Sequence, residues 1–207
     1  MQTIRHTIPD DLLMGYAAGA LSQPFDLVVA THVSLSDDAR ARLAGFEAVG
    51  GAMLEDMDSA DLADGSLERT LARIAGMAPV ARPKPSRGIF PAPLQQVVGG
   101  DADAVKWKSV GMGARQSVLC ADGEATARLL YIPAGQAMPQ HSHRGTEMTL
   151  VLQGAFRDED GVFARGDIEI ADEDVDHTPI AEPGEDCICL IATDGRLRFN
   201  GLLPRLA

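Results

Sequence analysis

Cysteine is scarce in this 207-residue chain, which carries three thiols, Cys120, Cys187 and Cys189. Three thiols do not make a disulfide framework. Cys187 and Cys189, two apart in an apolar run, share a strand face without bridging readily. Reduced thiols follow, so Cys187 and Cys189 are redox candidates if exposed and small core hydrophobes if buried. Basic residues are also few: 18 Lys+Arg against 30 Asp+Glu leave a formal net charge of -12. That balance argues against direct nucleic-acid binding, which needs clustered cations to neutralise phosphates, and suits a basic protein partner better. The chain lacks any apolar run of about eighteen residues, and its start, Met1-Gln-Thr-Ile-Arg-His6, has no hydrophobic signal core. The expectation is a cytoplasmic protein that makes no membrane contact.

What is present is a concentrated stretch, Gly135-Gln-Ala-Met-Pro-Gln-His141-Ser-His143-Arg-Gly-Thr-Glu147-Met-Thr-Leu-Val-Leu-Gln-Gly154. His141 and His143 alternate in a segment that reads as strand, so both rings leave one face, and Glu147 follows after a possible turn at Arg144-Gly145. Two nitrogens and one oxygen can then converge. Imidazole and carboxylate are ordinary donors to zinc, iron, manganese or nickel, and three such ligands leave positions open. His177, beyond a hairpin-like segment, is a natural fourth donor if a neighbouring antiparallel strand brings it back.

The stretch resembles the first cupin motif, Gly-x5-His-x-His-x3-Glu-x6-Gly, at every fixed position from Gly135 to Gly154. The second cupin motif, Gly-x5-Pro-x-Gly-x2-His-x3-Asn, fits at Gly166 and His177, while Asp172, Asp174 and Ala181 replace its proline, glycine and asparagine. The resemblance implies a small antiparallel β-barrel with His141, His143, Glu147 and His177 lining its interior.

Residues 1 to 80 read as helical. Apolar spacing and acidic first turns place helices at about Pro9 to Gly19, Leu27 to Leu35, Ala39 to Met57 and Ser66 to Ala75. Gly50-Gly51 should weaken or bend the third. The stretch from Met77 to Pro93 holds five prolines and no period, so residues 81–98 read as a linker. From residue 99 onward, short alternating or wholly apolar runs separated by Gly, Pro and Asp signal an antiparallel sandwich or barrel. The expected fold is α+β and multidomain: a small helical bundle (1–80), a proline-rich linker (81–98) and a cupin-type barrel (99–207).

His32 ends the second helix, and its offsets of four and seven fall on one helical face, where a His-x3-Cys-x2-Cys zinc site would place thiolates. Here those positions are Ser36 and Ala39. The surroundings, His6, Asp11-Leu-Leu-Met-Gly-Tyr-Ala-Ala-Gly-Ala-Leu21, Ala30-Thr-His32, Arg40-Ala-Arg42 and Glu47-Ala-Val-Gly-Gly51, resemble the zinc-binding anti-sigma factors of the ChrR group. That group has this layout of helical module and single cupin domain. In it, the early His, the helix His and two Cys hold a structural zinc, of which this chain keeps His6 and His32. Serine is a poor zinc donor and alanine none, so little or no zinc is expected there. Natural divergence and deliberate replacement of both cysteines are equally open.

The resemblance implies an anti-sigma factor. Residues 1–80 would bind an extracytoplasmic-function sigma factor 1:1, and a metal-bearing cupin domain, with zinc the leading candidate, would serve the response to oxidants such as singlet oxygen. Twelve Asp+Glu against seven Lys+Arg over residues 1 to 85 suit a basic partner. The alternative is a metal-dependent cupin enzyme, a dioxygenase or isomerase, since open metal positions permit such chemistry. It lacks a recognisable second constellation, although Arg128, Arg144 and Glu169 are available.

Overall fold

The computed structural model describes residues 3–77, 87–142 and 144–195, together with the backbone of 198–199. Helices α1 (Asp10–Ala17), α2 (Gln23–Leu35), α3 (Asp37–Glu55) and α4 (Ser66–Ala75) come first, followed by α5 (Ala92–Val98). Strands β1 (Lys108–Gly111), β2 (Ala114–Asp122), β3 (Ala125–Ile132), β4 (His141–Ser142), β5 (Glu147–Gln153) and β6 (Ala155–Arg157) come next. Strands β7 (Val162–Ala164), β8 (Ile168–Ala171), β9 (Asp176–His177), β10 (Ile180–Ala181), β11 (Cys187–Thr193) and β12 (Arg198–Phe199) complete the order. No helix among the described residues is long and apolar enough to cross a membrane.

Local chemistry sets the helix starts. Pro24 lies in the first turn of α2, where its fixed φ favours helix, and α2 accordingly begins at Gln23, earlier than the apolar run alone suggests. Ser36 Oγ accepts from the Ala39 N–H at 3.1 Å, so α3 starts at Asp37, directly after its cap. The Gly50-Gly51 pair does not interrupt α3, which continues to Glu55.

A linker reading of 81–98 does not describe its second half. Residues 81–86 lie outside the described residues, whereas 92–98 form α5, with Pro93 in the first turn and Leu94 fully buried. The prolines there begin a helix, because a first-turn N–H has no intrahelical partner to lose. Gln95 fastens the helix from inside, its side-chain amide donating to the Phe90 carbonyl at 2.8 Å.

All named strand pairs are antiparallel. Six strands form one sheet in the order β1-β2-β3-β11-β5-β8, and two three-stranded sheets, β10-β6-β7 and β12-β4-β9, complete the barrel. The central strands of the large sheet are buried on both faces, which explains why β5 and β11 read as continuous apolar runs. Ala127, Leu129, Met148, Leu150, Leu190 and Ala192 face the helices and share one core with Ile8, Leu13, Val28 and Leu43. The alternate residues Val151, Cys187, Cys189 and Ile191 face inward and pack with Phe156 and Phe163.

The amino-terminal segment is tied to the barrel just before β8. Asp167 Oδ1 accepts from the Arg5 and His6 N–H groups at 2.6 and 3.0 Å, and the Ile168 N–H donates to the His6 carbonyl at 3.0 Å. From Glu47 to Met77 the arrangement is different, since every residue except Ser66 is exposed.

Candidate metal centre

Strands β4 and β9 pair antiparallel with His141 directly opposite His177, and Glu147 opens β5 beside them. The two ring centroids are 4.7 Å apart. Ligand atoms of His141, Glu147 and His177 all lie within 4.8 Å of one another, and all three residues are buried. Thirty positions of sequence thus close to a single point through one strand pairing, as the hairpin-like spacing predicts. His143 lies outside the described residues.

The second cupin motif departs from its pattern in residue type while keeping its turn. The Asp174 N–H donates to Asp172 Oδ1 at 3.0 Å, an Asx turn that supplies by side chain what proline and glycine supply by backbone. Gly154, the last glycine of the first motif, has φ 65, and a Cβ there would meet the Asp186 carbonyl oxygen at 2.7 Å. Only glycine fits that position.

Hydrogen bonds fix how the imidazoles present themselves. His141 Nδ1 lies 2.9 Å from the Pro139 carbonyl oxygen, which can only accept, so Nδ1 carries the proton and Nε2 is the nitrogen left to face a metal. His177 Nδ1 lies 3.0 Å from Glu169 Oε1 and 3.1 Å from Asp158 Oδ2, which assigns its Nε2 to the centre in the same way. Burial pushes Glu169 up to about 8, so it is a neutral acid at pH 7. Burial also opposes ionisation of Asp158, but hydrogen bonds from Glu169 and then His177 outweigh it and hold its carboxyl below the usual range. Burial disfavours a charged His177 ring, yet its hydrogen bonds to Glu169 and then to Asp158 raise it to about 9. The resulting set is an ionised Asp158 accepting from the Glu169 hydroxyl and the His177 Nδ1–H.

Neither carboxyl stands out in the sequence as an outer partner. The sequence offers Glu169 only as a possible acid beside a catalytic metal, and β8 places it, buried, in the barrel interior. Asp158 belongs to an acidic turn with no distinguishing spacing.

The donor chemistry fits a divalent first-row cation. Burial pushes the Glu147 carboxyl up, opposed by the charges of Arg128 and His177, and burial pulls His141 down. A cation at their common point would relieve both costs: the carboxylate gains a counter-charge, and the neutral imidazole gains an acceptor for its lone pair. These residues open onto a cavity of about 1290 Å³.

The amino-terminal positions have a different character. His32 is fully buried in α2, and burial lowers its pKa to about 4, so the ring is neutral. Its Nε2 accepts from the Ile8 N–H at 3.5 Å. Ser36 is committed to capping α3, and Ala39 is core. The His6 ring lies on Phe163 at 4.3 Å, with Nδ1 3.8 Å from Asp167 Oδ2. Among the described residues, the groups of three or more potential metal donors include neither His6 nor His32.

Cys187 and Cys189 are buried on β11 with sulfurs 3.6 Å apart. The hydrogen bond from Cys187, then burial, raises the Cys189 pKa, which favours the inert thiol over the reactive thiolate.

Comparison with known proteins matches residues 95–195 to the ChrR cupin-like domain. Over 207 aligned residues the chain is 54% identical to anti-sigma-E factor ChrR of Cereibacter sphaeroides, covering 99% of this chain and 96% of that protein. It also superposes on the crystal structure of Rhodobacter sphaeroides SigE in complex with the anti-sigma ChrR, with TM-score 0.83, 52% identity, and coverage of 92% of this chain and 99% of that one. The chain belongs to the ChrR family of anti-sigma factors.

Proposed function

We propose that this chain is an anti-sigma factor that holds an extracytoplasmic-function sigma factor in a 1:1 complex through residues 1–80. The carrying observation is the exposed stretch from Glu47 to Met77. It displays Val49, Met53, Leu54, Met57, Leu62, Leu67, Leu71, Ile74 and Met77, each more than half exposed. Leu67, Leu71 and Ile74 lie one helical face apart on α4, a stripe with no core to fill in the chain itself. Between α3 and α4, Asp56, Asp58, Asp61 and Asp64 add an acidic rim suited to a basic partner. Such a partner acts at polymerase, which makes the chain a cytoplasmic regulator and not an enzyme.

His141, His143, Glu147 and His177 are the metal ligands in this reading, with zinc favoured and iron, manganese or nickel compatible. When bound, the ion would hold these four side chains together, and oxidation or loss of one ligand would alter the barrel mouth, from which a response to oxidants such as singlet oxygen can start. His6 and His32 are a remnant without thiolates, and their module holds together by packing.

The test is co-expression of the full chain with its sigma factor. Wild type should elute as a 1:1 complex. Leu71→Asp with Ile74→Asp, placed where no internal contact is lost, should weaken it by about 2 kcal/mol or more at an unchanged melting temperature. An undiminished complex would overturn the assignment of α4 as the binding face.

A further inference from the structure

Arg128 has no role in the reading above, yet it projects from the middle of β3 onto the barrel cavity. Its Nε is buried without a hydrogen-bond partner, and among the described residues nothing accepts a hydrogen bond from its guanidinium. Its charge also favours the ionised form of Glu147, against the burial that opposes it. A buried Nε–H without an acceptor is costly on a half-buried side chain, and a planar anion that fills the fork would supply the acceptor together with a counter-charge.

Strand register shows where that anion would lie. Across the inner face, Arg128 stands opposite Ile191, Ile191 opposite Thr149, and Thr149 opposite Glu169. One row to one side, Thr126, Thr193 and Glu147 form the polar row of the metal centre. One row to the other, Leu130, Cys189 and Val151 begin an apolar wall that Ile132 and Phe156 continue. Arg128 therefore marks the border between a polar end and an apolar end of one space.

We infer that this cavity is a receptor site for a small organic carboxylate, its carboxylate in the fork of Arg128 and its apolar body along Leu130, Ile132 and Phe156. A neutral ligand could offer an acceptor but no counter-charge, and an inorganic anion would leave the apolar wall wet. The site stands on the geometry of β3, β5 and β11 and does not depend on sigma-factor binding.

Isothermal titration of the full chain with acetate, butanoate, hexanoate and hexanol tests it, in zinc-loaded and zinc-stripped protein. Affinity should rise by up to about fourfold per methylene as the tail meets the apolar wall. Hexanoate should bind at least tenfold more tightly than hexanol in both forms. Arg128→Gln should lose that advantage and leave hexanol binding unchanged, while Arg128→Lys, which keeps the charge without the fork, should lose part of it. Thermal melts establish that each variant is folded, and Arg128→Lys carries the test if Arg128→Gln does not fold. Hexanoate binding no better than hexanol, or binding Arg128→Gln as tightly as wild type, would show that Arg128 serves only to balance Glu147.

Discussion

Two carboxyls contact one nitrogen of His177, and their unequal protonation makes their replacement by amides unequal as well. Glu169, neutral at pH 7, donates a hydroxyl hydrogen to Asp158 and offers Oε1 to the His177 Nδ1–H at 3.0 Å. In Glu169→Gln the amide N–H takes over the donation and the amide oxygen the acceptance, so metal affinity should change by no more than about threefold, well under 1 kcal/mol. Asp158 is the ionised member and the acceptor for both neighbours. In Asp158→Asn one acceptor oxygen becomes an N–H aimed at existing donors, and the negative charge behind His177 is lost. Losing an outer partner of a metal-bound imidazole costs about 10- to 100-fold in affinity, or roughly 1.4 to 2.7 kcal/mol. Competition against a chromophoric zinc chelator at pH 7 reads both numbers on the same protein. Equal weakening by the two substitutions would refute the assignment of the proton to Glu169. An Asp158→Asn protein that binds like wild type would refute the outer-partner role altogether.

Because His177 must surrender a proton from a ring whose pKa is about 9, metal affinity should climb about tenfold per pH unit between pH 6 and 8. A flat profile in the same chelator assay would contradict that. The metal-free fold responds in the same direction of charge: the stabilisation from protonated His177 is complete below its unfolded pKa of 6.5 and is lost as pH rises towards 9. His32 has the opposite sign, with a folded pKa of about 4 below the unfolded 6.5. Its neutral burial contributes fully above pH 6.5, and about 3 kcal/mol is lost by pH 4, so urea melts of His32→Leu should show a flatter slope across that window than wild type. Leu94→Ala should cost about 2 to 5 kcal/mol in the same melts, since Leu94 is fully buried in the common core, whereas a linker residue would cost almost nothing.

The convergence of His141, Glu147 and His177 was legible because the cupin spacing maps directly onto strand geometry, and the register that sets His141 opposite His177 is what two motifs across a hairpin demand. Helices α1 to α4 were legible from apolar period and acidic first turns, with boundaries moved by Pro24 and Ser36. Proline misled at residues 91–98, where Pro91 and Pro93 resemble linker punctuation yet occupy the cap and first turn of α5. Glu169 was legible only as a possible acid beside a catalytic metal, and its contact with His177 was not, because period two says that a residue faces away from one core and cannot say that the other face is also enclosed. Asp167 carries no motif, and its work as an acceptor for Arg5 and His6 depends on a contact across 161 residues or more.

The helical module and the barrel are two units in sequence but not in packing. The face of α2 bearing Val28 and Val29 and the sheet face bearing Leu129, Leu150 and Leu190 belong to one core, so separating them would expose both to water. A fragment of residues 1–80 alone would therefore expose apolar surface that the intact chain buries. What lies outside that core is the distal part of α3 and all of α4, which can engage or release a partner without disturbing a buried contact. The metal-side elements meet the amino-terminal segment on one strand: Glu169 touches His177, and Asp167, two residues earlier, holds the backbone of Arg5 and His6. A change in how His177 is held would thus bear on the same short strand that fastens the amino-terminal segment.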